Sequence, residues 1–157
     1  VNSDILVISG GQSGADLGGN LFALNMGIST AINTCRDFSP IFKSATFDKV
    51  KVNVVTERSG VAGLVERRMW NVINSDLTLI VSDKIVLDTR GSIATMNDCL
   101  RFGKTFCVCP MNDEWALFEI VSFLHKLERP RVVNVAGSRA LRESEVAMFM
   151  EDLWIWD

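Results

Sequence analysis

A regular alternation of element types limits the folds open to this chain more than any other feature. Six short runs, "DILVIS", "ISTAI", "KVNVV", "LTLIV", "KTFCVC" and "RVVNVAG", read as strands, and the segments between them repeat apolar residues at helical spacing. "DILVIS" and "LTLIV" are continuously apolar rather than alternating, as in strands buried on both faces. Helices are predicted over 15–26, 61–74, 92–102, 115–127 and 141–154, the first stopped by Gly27. In the second helix Val65, Met69, Val72 and Ile73 form the apolar stripe, with Arg67, Asn71 and Asn74 assigned to the opposite face. Ser92 is placed as the N-cap of the third. Residues 33–48 have no period, contain Pro40, and predict a long loop. The class is therefore α/β: a Rossmann-like, mostly parallel sheet with helices on both faces. A length of 157 residues suits one such domain, 1–157.

Folds of this class bind ligands outside the carboxyl ends of the strands. The loops concerned are 9–15, 33–37, 83–91, 110–113 and 134–139. In the first, "SGGQSGAD", Gly10 and Gly11 permit positive φ and a close backbone approach. Gln12, Ser13 and Gly14 then bring successive N–H groups to a helix start, which suits phosphate or another anion. Asp16, in the first helical turn, favours the dipole but repels an anion placed too near. The glycine spacing is neither G-x-G-x-x-G nor that of a nucleoside-triphosphate P-loop. "DTRGS" repeats the logic: Gly91 and Ser92 open a helix, and Arg90 supplies a forked charge.

Charge and composition narrow the partners. A net charge of −3 gives no basic field for nucleic acid. No apolar stretch approaches membrane-spanning length, and no leader pattern follows Val1, so a cytoplasmic location is expected. Four cysteines and a single histidine lack metal-site spacing, and no metal is expected. Cys107 and Cys109 are expected on opposite faces of their strand, as buried free thiols. Cys35 beside Arg36, the acidic pair Asp83 and Asp88, and His125 at a helix end are weaker candidates, more simply read as packing or solvated surface. Trp154 and Trp156 suit either an interface or packing back onto the domain.

Four segments in order, "ISGGQSGAD", "ERRMWNVINSDLTLIV", "RGSIATMNDCLRFGKTF" and "VVNVAGSR", resemble the molybdenum cofactor carrier proteins of the SLOG, or lysine-decarboxylase-like, Rossmann superfamily. The resemblance covers nearly the whole chain. It implies a ligand site of Gly10, Gly11, Gln12, Ser13, Gly14, Asp16, Arg67, Asn71, Gly91, Ser92, Asn134 and Arg139, to which the reading of the second turn adds Arg90, standing where the family has Gly. It also implies a phosphorylated pterin or nucleotide as bound ligand, with molybdenum cofactor the family's own, and a homo-oligomer, dimer or dimer of dimers. Two departures stand out. "TAINTCRDFSP" keeps only Cys35 and Arg36 of a ligand-covering segment, and "RGSIATMND" lacks the Glu of the related phosphoribohydrolases, with Asp98 about a turn too late. The expected function is a non-catalytic binding or carrier protein for a small anionic ligand. The alternatives are a phosphoribohydrolase-type enzyme acting on nucleoside monophosphates and an interaction subunit with a vestigial pocket.

Overall fold

A computed structural model describes residues 4–36, 47–48, 50–83 and 89–156. Six strands, β1 (Leu6–Ser9), β2 (Ser29–Cys35), β3 (Lys51–Thr56), β4 (Leu77–Ser82), β5 (Phe106–Pro110) and β6 (Val132–Gly137), form one sheet in the order β3-β2-β1-β6-β4-β5. Every pairing is parallel. Parallel neighbours need crossovers, supplied mostly by helices: α1 (Ala15–Met26), α2 (Gly60–Ile73), α3 (Arg90–Arg101), α4 (Glu114–His125) and α5 (Glu143–Leu153). Helices α1, α4 and α5 pack on one face of the sheet, and α2 and α3 on the other. The main core lies on the first face, where Val7, Phe22, Leu79, Leu124, Val133 and Met150 are fully buried. All six residues of β4 are buried, as its continuous apolar run requires.

The position of β6 decides where a ligand can sit. The last strand inserts between β1 and β4, pairing Ile8 with Asn134 on one side and Thr78 with Asn134 on the other. The carboxyl ends of β1, β6 and β4 therefore lie side by side, and the loops after them converge.

Several expectations change in the structure. Strand β2 runs on to Cys35, so the loop expected from residue 33 starts later; residues 37–46 of it lie outside the described residues. The extension is held by a polar ladder. Asn53 Nδ2 donates to Asn33 Oδ1 (2.9 Å), Asn33 Nδ2 donates to Asn71 Oδ1 (3.1 Å), and Asn71 Nδ2 donates to the Asn33 carbonyl (3.1 Å). These partners offset the poor strand propensity of asparagine.

The same bonds reverse the reading of α2. Its buried residues are Gly63, Arg67, Asn71 and Val72, whereas Ile73 is exposed. The polar stripe faces the sheet because the ends of β1 and β2 offer it hydrogen-bond acceptors. Helix α3 starts earlier than expected: Thr89, extended at φ −99°, is the N-cap and accepts from the Ser92 N–H at 3.3 Å. Trp154 stacks within the chain, 4.9 Å from Phe22 and 5.0 Å from Trp156 between ring centroids, so of the two readings the chain end packs back. Cys107 and Cys109 share a face of β5, since a two-residue period returns a side chain to the same side, and the Cys109 thiol donates to the Cys107 carbonyl at 3.5 Å.

Candidate functional site

Helices α2 and α3 stand apart over the converging carboxyl ends and leave a cleft of about 530 Å³. Its floor is Gly10, Gln12, Asp16, Asn134 and Ala136; Val61, Leu64, Val65 and Arg68 of α2 form one wall. Thr89, Arg90, Gly91, Ala94 and Thr95 form the second wall, and 137–140 the third. Nine of the thirteen expected site residues line it: Gly10, Gln12, Asp16, Arg67, Asn71, Arg90, Gly91, Asn134 and Arg139. Gly11, Ser13, Gly14 and Ser92 do not.

The first turn is closed on itself. The Gly11 N–H donates to Ser9 Oγ (3.0 Å), the Gln12 N–H to Asp16 Oδ2 (3.3 Å), and the Ala15 N–H to the Ser138 carbonyl (3.0 Å). Of the donors expected to hold an anion, the Gly11 and Gln12 N–H groups are thus used inside the protein. Gly11 has φ 79° and Gly14 has φ 83°, so both occupy the left-handed region that a side chain disfavours. Gly14 also has no room: a Cβ there would lie 2.3 Å from the Ser138 carbonyl oxygen. Gly10 is needed for a different reason. A Cβ on it would lie 2.7 Å from Arg67 Cζ, so the missing side chain is what lets the guanidinium lie over the turn.

Arg67 and Asp16 form the buried electrostatic centre of the floor. Arg67 Nη1 donates to the Gly10 carbonyl at 2.8 Å, while its Nε is buried with no hydrogen-bond partner. Burial holds the guanidinium below its ordinary range. The Asp16 carboxyl is pushed up to about 6, mainly by burial, against the opposing charges of Arg67 and Arg139 and its hydrogen bonds to the turn.

The walls carry charge with fewer commitments. Arg68 Nε pairs with Asp98 Oδ2 at 2.6 Å, and Arg90 and Arg139 are exposed. The lining therefore holds four arginines and one carboxylate, in a chain whose net charge is −3. Among the described residues no cluster of three metal-ligating side chains occurs. Such a cleft can hold an anion at its arginines and an apolar body between Val61, Leu64, Val65 and Ala94.

Sequence reasoning missed that apolar wall and Arg68. The signal was present, since Val61, Leu64, Val65 and Arg68 recur at i, i+3, i+4 and i+7 on one side of α2. Of the weaker candidates, Asp83 accepts from Asn112 Nδ2, Asp88 lies outside the described residues, and His125 is exposed.

The sequence profile of the circularly permutated YpsA SLOG family matches residues 7–154. The chain belongs to that family. The structure is similar to a crystal structure from Syntrophus aciditrophicus SB, provisionally described as a molybdenum carrier protein. The TM-score is 0.68 at 23% identity, over 94% of this chain and 90% of that one. At that identity the likeness is one of fold. No curated protein matches this SLOG chain significantly.

Proposed function

We propose that this SLOG domain is a binding or carrier protein for a small phosphorylated ligand, a nucleotide or a pterin, held in the cleft between α2 and α3. The observation that carries the reading is the charge inversion: four arginines against one carboxylate in an otherwise acidic chain. Arg90 and Arg139 would grip the phosphate, and the open start of α3 at Arg90 and Gly91 would add backbone donors. The flat ring would lie against Val61, Leu64, Val65 and Ala94. Molybdenum cofactor, a phosphorylated pterin, belongs to this class, and the carrier description of the Syntrophus protein favours it as cargo. Calorimetric titration with a phosphorylated pterin, a nucleoside monophosphate and their dephosphorylated forms tests the reading. A phosphate-dependent gain in affinity of about tenfold or more is expected from charge-assisted contacts. Equal binding of both forms would refute it.

The reading is non-catalytic. Asp98, the nearest carboxylate to the position of the missing Glu, is committed to Arg68, and its side chain is 7% exposed. Incubation with nucleoside monophosphates should therefore release no free base above a heat-treated control.

A homo-oligomer is part of the same proposal. Val61, at the cleft mouth, is 78% exposed, and Trp70, Ile73, Ile93 and Leu100 continue an apolar surface over α2 and α3. A second copy seated there would narrow the cleft. Sedimentation at micromolar concentration should show no single species at monomer mass.

A further inference from the structure

We propose that the free edge of β5 pairs antiparallel with the same edge of a second copy of the chain, joining two sheets across a twofold axis at Val108. This surface is independent of the proposed ligand cleft. Strand β5 ends the strand order, and the groove of about 420 Å³ between it and α4 shares no lining residue with the cleft. Its ladder with β4 fixes which backbone groups are free. The Thr78 N–H donates to the Thr105 carbonyl at 3.0 Å and the Met111 N–H to the Ser82 carbonyl at 2.8 Å, with Thr78 opposite Phe106 and Ser82 opposite Pro110. Bonding residues alternate along a parallel ladder, so 105, 107, 109 and 111 face β4, while Phe106, Val108 and Pro110 turn their backbone outward. The Val108 carbonyl, turned away from β4, takes a long bond from the Cys107 thiol at 3.8 Å.

A row of outward N–H and C=O groups is a template for another strand. This row fits its own copy. With Val108 opposite Val108, the two residues exchange both backbone bonds, and each Phe106 N–H meets a Pro110 carbonyl. Pro110 has no N–H, so that position is an acceptor only and ends the ladder. The edge contact uses none of the α2 and α3 residues assigned above to oligomerisation, so either contact can fail alone.

Side chains and charges match their own copy as well. Trp115, Ala116 and Phe123 of α4 line the groove beside Val108, and Trp115 is 80% exposed. A twofold axis sets two α4 helices antiparallel, so Trp115 of one copy meets Phe123 of the other. The charged residues lining the groove are Asp113 and Glu119, with no cation. Asp113 lies just past the carboxyl end of β5. Lys104, just before the strand, and Lys126, at the far end of α4, lie at the opposite end. Antiparallel pairing therefore carries both lysines of one copy toward Asp113 of the other, which is the charge complementarity that selects a second copy as the occupant. Glu119, in the groove beside Val108, is brought near its own copy, and that like-charge contact opposes the pairing.

The test uses the native protein. Amide exchange followed by NMR at micromolar and near-millimolar chain concentration should show the Phe106 and Val108 N–H groups slowing about tenfold or more at the higher concentration, with the amides of β3, the opposite edge, unchanged. Val108→Pro removes an N–H that β4 does not use. It should halve the sedimenting mass, from tetramer to dimer if the α2 and α3 face also pairs and from dimer to monomer if it does not. Lys126→Glu, at an exposed position, should raise the dissociation constant of the edge about fivefold, and Glu119→Gln should lower it about threefold. Phe106 and Val108 amides that exchange equally fast at both concentrations, which would leave the edge to a partner of another kind, would overturn the pairing. So would Val108→Pro sedimenting at the wild-type mass. Weaker association in Glu119→Gln would overturn the twofold arrangement of α4. Wild-type exchange decides the matter even if a variant fails to fold. None of these readouts involves a ligand, so they stand or fall apart from the cleft.

Discussion

Two strand-to-helix turns at the same edge of the sheet carry the same sequence cue, glycine and serine at a helix start, and behave differently. The turn at 10–14 is closed. The Gly11 and Gln12 N–H groups go to Ser9 and Asp16, the Ala15 N–H that follows goes to Ser138, Gly14 sits under the 138–139 backbone, and the Arg67 side chain fills the space above Gly10. The turn at 89–92 is open. Thr89 caps it, Arg90 and Gly91 are exposed, and no atom lies within 4 Å of where a Gly91 Cβ would be. A glycine-rich turn is therefore not in itself a ligand cradle; what matters is whether its donors are already used. Here the first turn builds the floor of the cleft, and we assign the grip to the arginines and the second turn.

Substitution at equivalent places should separate the two turns. Gly14→Val imposes a side chain at φ 83° and against the Ser138 carbonyl, so a loss of roughly 3 kcal/mol in denaturant unfolding is expected. A loss below about 1 kcal/mol would mean that the first turn is as free as the second.

Next in size is the titration of Asp16. Its carboxyl shifts from 3.8 to about 6, so between those values the folded chain binds more protons than the unfolded one. Stability is therefore favoured below pH 3.8 and lost as pH rises through about 6, by about 3 kcal/mol from this group at 1.36 kcal/mol per unit. Asp16→Asn keeps an acceptor for the Gln12 N–H and should flatten that slope relative to wild type. Parallel slopes for the two proteins across this range would show that the carboxyl is not buried against Arg67.

The smallest effect belongs to the open turn. Gly91→Ala adds a methyl to helical backbone with empty space around it, and should stabilise the chain by about 0.4–1 kcal/mol. A destabilised variant would mean that the start of α3 is more crowded than the described contacts indicate.

The fold was legible because parallel strands and their crossover helices write their periods directly into the sequence. Helix α1 is found where Gly27 stops it, and β4 where "LTLIV" places it. Two of the errors, the α2 face and the early end of β2, share one cause. Arg67, Asn71 and Asn33 are polar residues whose partners come from distant elements, so local patterning put the first two on the surface and left the third in a loop. The site was legible as an edge of the sheet and as nine of its lining residues. Which donors remain open was not legible, since Ser138, which takes the Ala15 N–H, lies more than a hundred residues from it.

The central claim is that the arginine-lined cleft holds a small anion. Native mass spectrometry of freshly purified protein tests it most directly, with wild type compared to Arg139→Glu, an exposed position that should leave the fold intact. The expected result is a small phosphorus-containing molecule that travels with the wild type and is absent from the variant. The bare chain mass in both samples, or the same ligand retained by both, would contradict it.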